Sequence, residues 1–146
     1  MAHTTASLEM PASADRVWQL IGGFNSLPDW LPFIPHSELS EGGRMRHLKT
    51  ADGHTIVERL EAFDEKGRSY SYSIVEAPFP ARDYLATISV QGVADTDRSL
   101  VTWSGSFSPV GVSEDEIVRL FHGIYEEGLL TLAEGLQAHA RNMAGN

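Results

Sequence analysis

Glu58 stands between Ile56 and Leu60 in a stretch, Thr55–Phe63, whose apolar residues recur at every second position. In a strand that spacing puts all three on one face, the apolar one. A carboxylate there is costly unless a cation answers it or it takes up a proton. His47 and Arg82 are the cations available for the first answer. Either outcome leaves a polar anchor inside an apolar pocket, a pattern common among groups that bind ligands or move protons. Glu58 and His47, together with tyrosine hydroxyls, have the chemistry to serve as acid and base at a carbon next to a carbonyl. A one-residue slip in strand register gives the alternative, a Glu58 on the surface paired with Arg46 or Arg44.

Tyr70, Tyr72, Tyr84 and Trp103 fall at matching positions of three further alternating stretches. With Trp30, Phe121 and Tyr125 they would give a cavity aromatic walls and several polar tips, a lining suited to a planar or isoprenoid-like ligand. Rings of this kind also simply fill cores. Three tyrosines at one parity weigh against filler alone, because a buried phenol needs a hydrogen-bond partner that phenylalanine does not.

The histidines point elsewhere. His36, His47, His54, His122 and His139 are scattered, with no pair at helical ligand spacing beside an acid, so no metal site is expected. His36, at the start of a strand, reads as a residue facing water. There is no nucleophile elbow, phosphate loop or dinucleotide fingerprint, and no cofactor is expected.

The elements that must hold these groups are legible from punctuation and period. His3–Met10 alternates as a half-buried strand, Pro11 stops it, and Ser13 caps a short helix ending at Gly22-Gly23. Phe24–Pro35, with three prolines, predicts a helical turn and a stiff packed segment with inward aromatics. Six strands follow: Ile34–Ser40, Arg44–Thr50, Thr55–Phe63, Ser69–Glu76, Tyr84–Gly92 and Ser99–Phe107. Asp52-Gly53 reads as a two-residue hairpin turn, which sets His47 opposite Glu58 and Arg46 opposite Arg59. Met45, His47, Ile56, Glu58 and Leu60 then face inward, and Arg44, Arg46, Arg59 and Glu61 face water. Ser113 and Glu116 form a capping box for a long helix reaching about Ala140. Its apolar stripe, Ile117, Leu120, Phe121, Ile124, Gly128, Leu132 and Leu136, must lie on the sheet's concave face.

Composition narrows the partners. The formal charge is −9, from 20 acids against 11 Lys and Arg, and an acidic surface without a basic stripe is a poor match for nucleic acid. The absence of cysteine excludes disulfides, and no apolar run approaches a membrane span. These features, with an N-terminus unlike a signal peptide, lead us to expect one cytoplasmic domain spanning residues 1–146.

Several stretches carry a family likeness: Pro11–Trp18, Phe24–Pro32, Gly53–Phe63, Tyr70–Ile74 and Val101–Gly105. Over essentially its whole length the chain resembles the polyketide cyclase/dehydrase-like branch of the superfamily that includes START lipid-transfer domains and birch-pollen allergens. The resemblance implies an α+β helix-grip fold: seven curved antiparallel strands around a long C-terminal helix, with two short helices after the first strand. It also implies an internal cavity, for which about 300–1,000 Å³ is the usual range. In related binders the loop carrying Phe79 and Arg82 covers the cavity entrance. The expected partner is a small hydrophobic molecule, and the members include both binders and enzymes such as cyclases and dehydratases. An exposed sheet edge or helix docking another chain, including a second copy as a homodimer, is the remaining reading.

Overall fold

The computed structural model describes the backbone of residues 1–144 and the side chains of residues 1–139. The elements run β1 (Ala2–Met10), α1 (Ala14–Ile21), α2 (Leu27–Trp30), β2 (His36–Ser40), β3 (Met45–Lys49), β4 (Thr55–Asp64), β5 (Ser69–Glu76), β6 (Ala81–Gly92), β7 (Ser99–Pro109) and α3 (Glu114–Ala144). One antiparallel sheet forms in the order β1-β7-β6-β5-β4-β3-β2. It curves around α3, and the expected helix-grip architecture is present.

Local chemistry explains the ends. Ser13 Oγ accepts from Arg16 N at 3.3 Å and Ser113 Oγ from Glu116 N at 3.1 Å, each satisfying one orphan amide of a first turn. Asp115 and its two glutamate neighbours complement the α3 dipole. Pro35 delays β2 to His36, two residues later than expected. The stiff segment before it is tied to the β3–β4 turn, where Ala51 N donates to Phe33 O at 2.9 Å. Phe24 and Trp30 point inward as expected, but Phe33 is 46% exposed.

Alternation sets the core. Val101, Trp103 and Phe107 of β7 and Tyr84, Ala86, Ile88 and Val90 of β6 are buried in one core with Val17, Trp18 and Ile21 of α1 and Ile117, Phe121, Tyr125, Leu129 and Leu132 of α3. Leu120, counted in the apolar stripe, lies at its edge and is 37% exposed. The helix can come close because β7 carries Gly105 beneath it. A Cβ there would overlap the Tyr125 hydroxyl.

The β3–β4 register differs from expectation by one residue. Arg46 lies opposite Glu58 and His47 opposite Val57. The connection is a three-residue loop, Ala51-Asp52-Gly53, not a two-residue turn. Gly53 N donates to Thr50 O at 3.0 Å, and Thr50 N to His54 O at 2.9 Å. A two-residue type I′ turn would need positive φ at both central residues, yet of this loop only Gly53 adopts it (φ 90°). The Thr50 hydroxyl, bonded to Asp52 Oδ1 and accepting from His54 N at 2.8 Å, braces the longer loop. The slip turns Arg46 and Leu48 inward and His47 outward. On β4, the register with β5 shifts between Val57 and Glu58, and Glu58 keeps its inward place at 7% exposure.

Candidate functional site

Inward turning of Arg46 is the main consequence of that register. Its guanidinium is 1% exposed and meets Glu58 from two nitrogens: Nε donates to Oε1 at 2.8 Å, and Nη2 lies 2.7 Å from the same oxygen. Nη1 donates to the Phe24 carbonyl at 2.8 Å and to the Tyr70 hydroxyl at 3.4 Å. The guanidinium carbon sits 4.2 Å from the Phe24 ring centroid, 4.9 Å from Tyr72 and 5.6 Å from Tyr70. Aromatic faces thus supply part of the solvation that water would have given.

Burial works against both charges, and the balance differs. At Arg46 the phenolic oxygen of Tyr70 and the Glu58 carboxylate outweigh desolvation and hold the guanidinium protonated. At Glu58 desolvation outweighs Arg46, so its carboxyl sits above the usual range.

Beside this pair runs a chain of hydroxyls. Trp103 Nε1 donates to Tyr72 Oη at 3.0 Å, Tyr72 and Tyr84 hydroxyls lie 3.4 Å apart, and Tyr84 bonds Tyr125. Desolvation pushes all three phenols upward, so they are neutral at any physiological pH. Stacking of Trp103 on Tyr125 (centroids 4.7 Å, planes 19° apart) fixes the far end of the chain against α3.

These groups border a cavity between the sheet and α3. Glu58, Tyr72, Tyr84, Trp103, Phe79, Phe121 and Tyr125, all singled out from the sequence, line it, and Arg46 joins them. Its volume is about 50 Å³, far below the several hundred expected. The rings themselves occupy the difference. Phe121 lies 4.9 Å from Tyr84 and 5.3 Å from Phe79, centroid to centroid, and closes the space from the helix side.

Four expected site residues are not brought there. His47 is exposed on the outer face, 2.8 Å from Ser40 Oγ, so the cation facing Glu58 is Arg46 in its stead. Arg82 is also outside, with its side chain 74% exposed and Asp83 3.9 Å away. Tyr70 is buried behind Arg46 and does not border the cavity. Trp30 packs edge-on against Trp103 at 5.9 Å, but its other side lines a separate outer groove. That groove, about 610 Å³ between α1, α2 and the second half of α3, is larger than the inner cavity. It lacks the buried charge pair and the phenol chain, which argue for the smaller space.

Arg46 is the site residue that sequence reasoning missed. The available signal was parity with Leu48: one buried aliphatic flanked by His47 and Lys49 asks for inward neighbours at 46 and 48. His36 faces water, and no cluster suited to a metal ion occurs among the described residues. No helix among the described residues is long and apolar enough to cross a membrane.

Comparison with known proteins identifies the family and the fold. A sequence model of the family described as polyketide cyclase / dehydrase and lipid transport matches residues 1–137. The solved structure of the protein XoxI from Bacillus cereus is 58% identical, with a TM-score of 0.91 over 94% of this chain and 96% of that one. A START superfamily protein from Mycobacterium smegmatis shares the fold at 14% identity, with a TM-score of 0.77 over 94% of this chain and 99% of that one. So does the di-domain ARO/CYC BexL from the BE-7585A biosynthetic pathway, at 18% identity and TM-score 0.82, over 94% of this chain and 47% of that one. No curated protein matches the chain.

Proposed function

Because the chain belongs to the polyketide cyclase/dehydrase and lipid transport family, we propose that it binds a small hydrophobic molecule, aromatic, polyketide-like or lipid-like, between the sheet and α3. One observation carries this reading. The Arg46–Glu58 pair and three linked phenols all border the same small void in an otherwise apolar core. Hydrophobic side chains of similar volume would fill such a core at least as stably as a buried ion pair. Polar groups gathered at one cavity wall serve to orient a guest.

At about 50 Å³ the cavity has room for little more than water, so a guest enters by displacing rings. Phe33, 46% exposed, and Phe79, half-buried on the β5–β6 loop and in edge contact with Phe121, are the lining rings nearest the outside. The test is native mass spectrometry of the protein as isolated from cells, followed by solvent extraction. A small apolar molecule released from the folded chain supports the reading. A chain free of adducts that also captures nothing from a panel of aromatic and lipid-like compounds contradicts it.

A second reading rests on Glu58, whose raised carboxyl lies among phenols. Those are the groups that proton transfer beside a carbonyl would use in a cyclase or dehydratase. Glu58→Gln separates the two: an enzyme loses conversion of its substrate, whereas a binder has no turnover to lose.

A further inference from the structure

The cavity wall has one open acceptor and one spare donor, and its cation, Arg46, is 1% exposed with most of its donors already engaged. Glu58 Oε1 takes both contacts from Arg46, whereas Oε2 makes no protein hydrogen bond among the described residues. Oε2 is not sealed either: among the described residues, only Trp30 Nε1 and Ser99 Oγ are fully enclosed without a partner. Glu58 borders the cavity, so Oε2 is the carboxylate oxygen left to meet a guest there. Three of the five N–H groups of Arg46 are donated to Glu58, Phe24 O and Tyr70, its Nη2 is held in ion-pair contact with Glu58, and three rings cover its plane.

The phenols supply the donor. Tyr72, Tyr84 and Tyr125 bring three O–H protons to two mutual contacts, and Trp103 donates into the chain without using any of them. One phenolic proton is therefore left over, at Tyr72, Tyr84 or Tyr125, all of which border the cavity.

From this arrangement we infer that the cavity selects apolar molecules bearing an uncharged hydroxyl, such as phenols, and rejects the matching carboxylates. The inference rests on the binding reading above. A hydroxyl donates to Glu58 Oε2 and accepts from the spare phenol, so both wall groups are satisfied at once. A carboxylate has no proton to give Oε2 and sets a like charge beside it in a dry space, where the two repel. Glu58 is thus the specificity-determining residue, acting by exclusion as much as by attraction.

A matched pair of probes tests this, 2-naphthol and 2-naphthoate, titrated by calorimetry at pH 7.5 while the Trp103 indole N–H is followed by NMR. That proton reports on the site because it bonds Tyr72. The expected result is binding of naphthol at least about tenfold tighter than naphthoate, with a shift of the Trp103 signal. In Glu58→Gln the preference should shrink to about threefold or less, since an amide carries no charge. Naphthoate binding the wild type as tightly as naphthol would overturn charge selection while leaving the binding reading intact. If neither probe moves the Trp103 signal, the binding reading fails and this inference fails with it.

Discussion

Arg46→Met is expected to cost about 3–5 kcal/mol of folding stability, the usual penalty for leaving one member of a buried ion pair alone. The substitution keeps an aliphatic stem and removes the guanidinium that packs on Phe24 and Tyr72, with its charge and its donors. Glu58 then has no cation, and its carboxyl, already raised by desolvation, rises further. The sign follows from proton binding. A folded state that holds its proton more tightly than the unfolded chain loses stability as pH climbs from the unfolded carboxyl value, about 4.3, to the folded one. Arg46→Met should therefore be least impaired near pH 4.5 and most impaired at neutral pH, relative to wild type. The double variant Arg46→Met/Glu58→Leu should recover most of the loss, because apolar replacements of a buried pair are often neutral or better. Urea melts of the four proteins at two pH values give the cycle. Additive losses in the double variant would mean that the two side chains are not coupled.

Phe121→Ala should have an effect of similar size by a different route. The ring is 1% exposed and packs on Phe107 at 4.6 Å and Tyr84 at 4.9 Å between centroids. Truncating a buried Phe costs about 3–5 kcal/mol in lost transfer energy and residual cavity. Here the vacated space joins the existing void, so the variant should hold benzene in a way the wild type does not. Benzene at ten times its dissociation constant returns about 1.4 kcal/mol, a rise of roughly 3–6 °C in Tm at this chain length. Equal shifts in variant and wild type would mean that the core collapses into the gap and that Phe121 does not bound the cavity.

The fold was readable in the sequence because its signals are redundant. Six alternating stretches, a capping box at Ser113 and an apolar stripe along α3 all agree with one architecture, and misplacing a strand end by two residues, as at Ile34, changes nothing downstream. The site was less legible because it hangs on a single loop. Whether Asp52-Gly53 closes a turn of two residues or three decides which of Arg46 and His47 faces Glu58, and local composition favours the shorter turn. The Thr50 hydroxyl, which braces the longer loop, is a weaker signal than Asp-Gly. Glu58 was placed correctly on the inner face, but its partner was not, since alternation was carried across the turn at the wrong count. The size of the cavity could not be read at all. Periodicity tells which rings face inward, not whether they leave room between them.

The claim that a hydrophobic guest enters between the sheet and α3 is tested most directly by locating one. With uniformly 13C-labelled protein and unlabelled 2-naphthol, isotope-filtered NOEs report which side chains touch the probe. Our account predicts contacts to Phe121, Tyr125 and Tyr72, around the Arg46–Glu58 pair. Contacts confined to Leu20, Leu132 and Leu136, in the larger outer groove beside Trp30, would contradict it.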